Sequence, residues 1–330
     1  MIQGEKMLSV VADVGGTNIR LAVCDVKTGE LSQLNEFACA EFITLEVALT
    51  QYFEILQGEV KHLCIGIACP VENDHVVMTN LSWDFSKQAL KERLKLASLY
   101  VINDYTAISL AVPFLSSVEK IQVGGGECKE NAVTAIFGPG TGLGVSHIIK
   151  SADKWISLDG EGGHVSFAAN TPEQADILCL LQAKFGHVSA ERILSGQGLV
   201  NLYQSLCALS KREVKFEQPN EVSKAALEGS CDLARRSLDV FCQVMGSFAG
   251  NLALNLACTG GIYIAGGIVP RFAELFQSSE FRYFFEDKGR FKAYLSSIPT
   301  FLITHNNPGL LGASVYLRQE LGLLNNDALG

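Results

Sequence analysis

LSVVADVGGTNIRLAVCDV, residues 8–26, decides the fold. LSVVADV is an apolar, β-branched run that reads as a strand, GGTN reads as a turn, and IRLAVCDV as a second strand. Two strands joined by a glycine turn make a hairpin, not the strand–helix unit that opens a dinucleotide fold. KTGE makes another turn at 27–30 before LSQLNEFAC. The pattern then predicts a helix over 44–56, a strand HLCIGIAC ended by Pro70, and a helix around 86–96. The strand LYVIN runs directly into the helical DYTAISLAV.

The same order recurs in the second half. VTAIF, the loop GPGTG, LGVSHIIK, a polar turn at SADK and WISLDG again give strand, glycine loop, strand, turn, strand. A shift of 124 residues lays Gly16 on Gly140, Thr17 on Thr141, Ile19 on Leu143 and Leu21 on Val145. The shared order argues for an internal duplication. Residues 171–258 read mainly as helices, with breaks near 186–188 and 210–221. GGIYIAGGIVPRF supplies a strand, a glycine pair and a helix start; TFLITHN, a Pro-Gly turn and the helix LLGASVYLRQELG follow. Strands alternating with helices imply an α/β architecture.

At 330 residues the chain exceeds one ordinary core and meets the two-domain expectation. Apolar residues make up 48% and charged residues 18%, the profile of a globular protein. A net charge of −9 argues against a surface built for nucleic acid or for anionic membrane. The ten cysteines lie mostly in apolar runs such as LCIGIAC, without C-x-x-C or zinc-like spacing, and read as free thiols in a reducing compartment. The first residues hold too short an apolar run for a signal peptide, and no stretch reaches the ~18 apolar residues of a membrane span. A cytoplasmic location is expected.

Three loops are rich in glycine: DVGGTN at 13–18, GPGTGLG at 138–144 and AGGIVPR at 265–271. Glycine lets backbone N–H groups approach an anion closely, so such loops suit phosphate, although hairpins and tight turns use glycine as well. GPGTGLG lacks the dinucleotide spacing and precedes a strand rather than a helix. No G-K-[ST] occurs, which excludes a P-loop.

These loops resemble the two phosphate motifs and the adenosine motif of the sugar kinase, actin and heat-shock chaperone superfamily. Over essentially the whole chain, IACPV, INDYTA, GPGTGLG, DGEGGHV, GHVSAERILSG, FAGNLALN, GGIYIAGGIVPRF, FEDKGRF and NPGLLG are similar to bacterial glucokinases of the proteobacterial type. The resemblance implies a two-domain actin-like ATPase (ribonuclease H-like) fold, with a duplicated β-β-β-α-β-α-β-α core and a cleft between domains. It places residues 1–114 plus 305–330 in a small α/β domain and 115–304 in a large one. It also implies a homodimer, with ATP as co-substrate and Mg²⁺.

Phosphoryl transfer to a hydroxyl needs positioning, charge neutralisation and a base. Asp104, at a strand-to-helix junction, reads equally as a helix N-cap and as a base; the resemblance selects the catalytic role. The resemblance likewise assigns Asn103, Glu161, His164 and Glu191 to the sugar. Glu161 and His164 flank two glycines that let the backbone curl, where a plain polar turn is the alternative; Glu191 could equally sit in the first turn of a helix. For ATP it assigns Gly15, Gly16, Thr17 and Asn18, then Gly140 and Thr141, with Gly266 and Gly267 beside the adenosine. Asp13 would help hold Mg²⁺ through water. His147, His187 and His305 lack convergent partners in the sequence and read as structural or surface.

The expected activity is ATP-dependent phosphorylation of D-glucose at the 6-hydroxyl. The rivals are a kinase of another hexose or N-acetyl amino sugar, and a non-catalytic sugar or nucleotide sensor. A DNA-binding regulator would need a helix-turn-helix before the first glycine loop, where only twelve residues precede Asp13.

Overall fold

The computed structural model describes residues 7–78 and 81–324. Their contacts gather into two units. One unit takes the described residues through Leu115, then Ser151–Ser157, and the chain from His305; the other takes Ser116–Lys150 and Leu158–Thr304.

The first unit opens with β1 (Met7–Val14), β2 (Asn18–Cys24) and β3 (Leu31–Ala38), then α1 (Leu45–Glu54) and β4 (Glu59–Ile67). A short hairpin that the sequence pattern did not announce, β5 (His75–Val77) and β6 (Asp84–Ser86), precedes α2 (Lys87–Arg93). β7 (Ser98–Asn103) then runs without a break into α3 (Asp104–Ala111). The five-stranded sheet has the order β3-β2-β1-β4-β7, antiparallel between β1 and β2 and parallel between β1 and β4 and between β4 and β7.

Strand side chains alternate between faces, so each strand of this sheet serves two environments. Val10, Ala12 and Val14 of β1 and Leu63, Ile65 and Ile67 of β4 share one apolar core with Leu45, Leu49 and Tyr52 of α1. The alternate residues Asp13 and Gly66 pair across the β1–β4 ladder and face the helices on the opposite side.

The second unit contains β8 (Lys120–Gly124), β9 (Thr134–Pro139), most of β10 (Leu143–Ser151) and the end of β11 (Lys154–Gly160). A helical run follows: α4 (Pro172–Phe185), α5 (Gly196–Leu209), α6 (Pro219–Leu227) and the 25-residue α7 (Asp232–Leu256). After it come β12 (Ile262–Ile264), the short helices α8 (Ala273–Gln277), α9 (Phe281–Glu286) and α10 (Lys292–Ser296), and β13 (Thr300–Ile303). The sheet order is β11-β10-β9-β12-β13-β8. β10 is antiparallel to β9, whereas β12 is parallel to both β9 and β13. Every residue of β9 is buried, as a central strand covered on both faces requires, and Phe137 meets Phe248 of α7 edge to face at 5.5 Å. The added edge strand β8 was not expected; it is short, and only Ile121 and Val123 of its residues pack on the core.

The two glycine hairpins differ in length. Val14 pairs with Ile19, so residues 15–18 turn the first, whereas Pro139 pairs with Leu143, so residues 140–142 turn the second. The 124-residue shift therefore aligns the strands after the loops, and the strands before them align one residue further on.

The last helix, α11 (Pro308–Glu320), returns to the first unit and packs on α3, β1 and β4. Gln319 pins Trp155 by accepting its N–H at 2.9 Å and donating to its carbonyl at 3.2 Å, which ties the turn between β10 and β11 to this unit. Small residues make the α3–α11 approach possible. A Cβ on Gly312 would collide with the carbonyl of Ala107, and one on Gly66 would sit 3.1 Å from the Ala107 side chain. Gly312→Ala must push the helices apart and is expected to cost about 1–3 kcal/mol, read as a lower urea midpoint with an unchanged slope.

Candidate active site

In the first unit the carboxyl ends of parallel β1, β4 and β7 lie side by side, where α/β sheets carry ligands. β1 delivers Asp13, and β7 delivers Asn103 with Asp104 one residue beyond. Gly66 stands between them, with Asp13 and Ile102 as its ladder partners; an ideal Cβ there would lie 4.0 Å from the Cα of Asp104. The N-cap of α3 is Asn103, whose Oδ1 accepts the Tyr105 N–H at 2.8 Å. Asp104 is the first helical residue and shares that N–H at 3.0 Å. Its charge reaches Cys69, whose thiol is pushed up to about 11 first by burial and then by Asp104.

Asp13 lies against the first turn of α11. A Cβ on Gly309 would be 2.7 Å from its carboxyl carbon, so glycine there admits the carboxylate to the helix N-terminus, where an anion is favoured. Its cationic neighbour, Arg20, is 3.8 Å away and is shared with Glu36, which Arg20 meets at 3.0 Å. Glu36 also accepts the side-chain amide of Asn18 at 2.8 Å, turning that group toward β3. Gly15 closes the turn by donating its N–H to the Asn18 carbonyl at 2.9 Å, and Thr17 is exposed beside it.

The second unit gathers the other candidates around its own glycine turn. Gly140 donates its N–H to Gly142 at 2.8 Å, matching Gly15 in the first hairpin, and Thr141 is exposed. Gly266 has φ +85°, and a Cβ there would strike the Pro139 carbonyl, so only glycine brings Ala265–Gly267 against the turn. Gly267 faces open space. A Cβ on Gly163 would collide with the Leu143 carbonyl, so the glycines of GEGGHV are needed to seat that loop on β10.

Backbone bonds from Ala190 N–H to Val165 (2.8 Å) and from Phe167 N–H to Val188 (2.9 Å) draw the two sugar-assigned segments together. Glu161 and His164 are exposed, with Nε2 to Oε2 at 4.0 Å. Glu191 occupies a 3₁₀ turn, Ala190–Arg192, and its Oε2 accepts the Leu143 N–H at 2.8 Å. Thus Glu161, His164, Glu191, Gly140, Thr141, Gly266 and Gly267 share one neighbourhood, and Asp13, Gly15–Asn18, Asn103 and Asp104 share another.

The structure gives the contacts of the three histidines read as structural or surface, and adds Gly196, whose role the sequence reading missed. His187 Nε2 lies 3.3 Å from the His164 carbonyl, and His305 Nδ1 accepts the Asn307 N–H at 3.0 Å ahead of α11. Gly196, at the start of α5, donates to the Gly140 carbonyl at 2.9 Å. His147 lines a cavity of about 270 Å³ behind the 160–168 loop, with Phe167 and Phe248, and its buried Nε2 has no partner. The GHVSAERILSG segment contained His187 and Gly196, but only the folded contacts say what they hold. Among the described residues no group of three or more His, Cys, Asp or Glu is placed to hold a metal, and no helix is long and apolar enough to cross a membrane. None of the ten cysteines is in a disulfide; seven are buried, and Cys128 and Cys179 are exposed.

A solved glucokinase from an Antarctic psychrotroph has a TM-score of 0.85 to this chain at 34% identity, covering 96% of this chain and 100% of that one. A glucokinase of Balamuthia mandrillaris solved with glucose, with a TM-score of 0.77 at 20% identity over 95% and 94% of the two chains, shares the fold. Two mixed sheets with glycine turns at their strand ends are the α/β architecture of the sugar kinases. A glucokinase of Photorhabdus laumondii is 50% identical over 319 residues, 97% of this chain and 99% of that protein, and the glucokinase family model matches residues 10–320. The chain belongs to the glucokinase family.

Asp13 gives a pH test of this geometry. Burial is the largest influence on it and raises its carboxyl above the usual 3.8, partly opposed by Arg20. The folded chain therefore holds this proton more tightly than the unfolded one, and the cost of ionising Asp13 grows as the pH rises from 3.8 through the folded value. Asp13→Asn removes that cost. Its thermal midpoint is expected to exceed the wild type's near neutral pH, and the gap to close as the pH falls toward the ordinary carboxylate range. A midpoint at or below the wild type's near neutrality would rule out an uncompensated charge.

Proposed function

We infer that the chain is a glucokinase, transferring the γ-phosphoryl group of ATP to the 6-hydroxyl of D-glucose. The observation that carries this reading is the family match across residues 10–320. In the reaction the 6-oxygen attacks the γ-phosphorus while the bond to the β-bridging oxygen breaks, releasing ADP. Asp104 accepts the hydroxyl proton. Its support is its place at the carboxyl end of β7, with the capping role already taken by Asn103.

Asn103, Glu161, His164 and Glu191 hold sugar hydroxyls. For Asn103 the contact falls to the second hydrogen of Nδ2, since Oδ1 accepts the Tyr105 N–H and Nδ2 already donates to the Cys69 carbonyl at 3.4 Å. Phosphate oxygens meet the turns at Gly15–Asn18 and at Gly140 and Thr141. The N–H groups of Gly15 and Gly140 are donated within their own turns, so the amides that follow them carry the phosphate contact. Gly266 and Gly267 pass the adenosine, and the open space beside Gly267 suits that role.

The donors present suit Mg²⁺, which binds through one or two carboxylates and keeps its waters. Asp13 is such a carboxylate, half-buried, with Arg20 3.8 Å away and shared with Glu36. When bound, the metal neutralises phosphate charge.

The order and strand directions of the two sheets support a duplicated β-β-β-α-β-α-β-α core. We take residues 1–114 with 305–330 as the small domain and 115–304 as the large one. A cytoplasmic homodimer completes the proposal, by likeness to the family.

Asp104→Ala is expected to lower kcat by roughly 10²–10⁴ while thermal unfolding stays near that of the wild type. The measurement is sugar-dependent ADP release with glucose, mannose, fructose and N-acetylglucosamine. Near-normal turnover by the variant would remove Asp104 from its role. ADP release independent of sugar, or fastest with another sugar, would remove glucose.

A further inference from the structure

Glu191 does something in the folded chain that a sugar contact does not account for. Its Oε2 accepts the N–H of Leu143 at 2.8 Å. Leu143 is the first residue of β10, the point where the 140–142 turn hands over to the strand. A Cβ on Gly142 would lie 2.5 Å from that oxygen and 3.3 Å from the carboxyl carbon. Gly142 is not among the glycines with positive φ, so its backbone would accept alanine. The carboxylate alone requires the glycine.

The base from which Glu191 reaches is firm. Its 3₁₀ turn is tied through Ala190 N–H to Val165 at 2.8 Å, through Arg192 N–H to Ser189 at 3.1 Å, and through Leu194 N–H to Ala190 at 2.8 Å. Ala190, Ile193 and Leu194 are buried in the core. Beyond its own Gly140–Gly142 bond, the turn is held from this segment twice: by Gly196 N–H on the Gly140 carbonyl at 2.9 Å and by the Glu191 carboxylate on Leu143. A charged acceptor makes the second the stronger kind of bond.

We propose that Glu191 is a positioning residue for the nucleotide as well as a sugar ligand, bracing the phosphate-facing turn through Leu143 while its second carboxylate oxygen serves the sugar. The proposal rests on the assignment of residues 138–144 to phosphate. A turn held in its binding conformation gives up less conformational freedom when nucleotide arrives, so loss of the brace appears as weaker nucleotide binding even when no sugar is present.

The test is calorimetric titration of the purified full chain with Mg-AMPPNP in the absence of sugar, and separately with glucose in the absence of nucleotide. Glu191→Ala deletes the brace and the sugar contact together. Gly142→Ala keeps the carboxylate but displaces it from Leu143. Both are expected to bind Mg-AMPPNP about tenfold more weakly and to raise the KM for ATP more than they lower kcat. Glu191→Gln, whose amide oxygen can still accept the Leu143 N–H, is expected to stay within about twofold of the wild type for nucleotide. Gly142→Ala, which moves the carboxylate without removing it, is expected to weaken glucose binding less than Glu191→Ala, which loses it. Wild-type nucleotide affinity in both Glu191→Ala and Gly142→Ala would overturn the brace. Weak nucleotide binding with intact glucose binding in Glu191→Ala would uphold the brace and remove Glu191 from the sugar. If no variant and not the wild type binds Mg-AMPPNP, the phosphate assignment itself falls, and the brace with it.

Discussion

At several places the backbone must meet another part of the chain with no side chain between them, and four of these lie in or beside the candidate segments. Gly163 sits on the Leu143 carbonyl, Gly266 on the Pro139 carbonyl, Gly312 on the Ala107 carbonyl, and Gly309 on the Asp13 carboxylate. A methyl group at any of these would move a ligand-facing segment away from its strand end. Interiors pack at crystal-like density, so such a displacement cannot be absorbed locally and passes to the neighbouring turn. The glycines of the motifs therefore act in two ways. Some of them face open space, as Gly267 does, and others leave room for another part of the chain.

That distinction explains what the sequence made legible. The hairpins, the fully buried central strand and the long helical run between 171 and 258 carry strong periodic or turn signals, and they lie where those signals put them. β8 and the β5–β6 hairpin were missed because strands of three to five residues at an edge bury too little to impose a two-residue period. The 124-residue shift could not register the one-residue difference in turn length, since none of its four matches lies on the strands before the loops.

The candidate site was legible in outline and opaque in its wiring. Glycine loops announce that something approaches the backbone closely, but not whether that is phosphate or a carboxylate of the same chain. At Gly142 it is Glu191, nearly fifty residues away in sequence, and no local pattern around either position contains the other. His187, Gly196 and Gly309 belong to the same class. Each contributes a single contact to a segment that a motif had already marked, and single contacts leave no periodic trace.

Asp104 was ambiguous because an aspartate after a strand and before a helix is a good cap. The cap position itself is taken by its neighbour: Asn103 has the extended backbone of an N-cap, φ −64° and ψ 151°, and its side-chain oxygen takes the Tyr105 N–H. Two adjacent residues that could each cap a helix are redundant for stability, since only one can occupy the cap position. An asparagine that caps leaves the aspartate at the first helical position, where its carboxylate stands at the positive end of α3 and is favoured as the anion. Tyr105, the next residue of the helix, holds its own proton more tightly, first through burial and then through the charge of Asp104. The order Asn-Asp is thus not interchangeable with Asp-Asn: reversing it would place the carboxylate in the cap and the amide at the first helical position, exchanging the charge at the start of α3 for a neutral group.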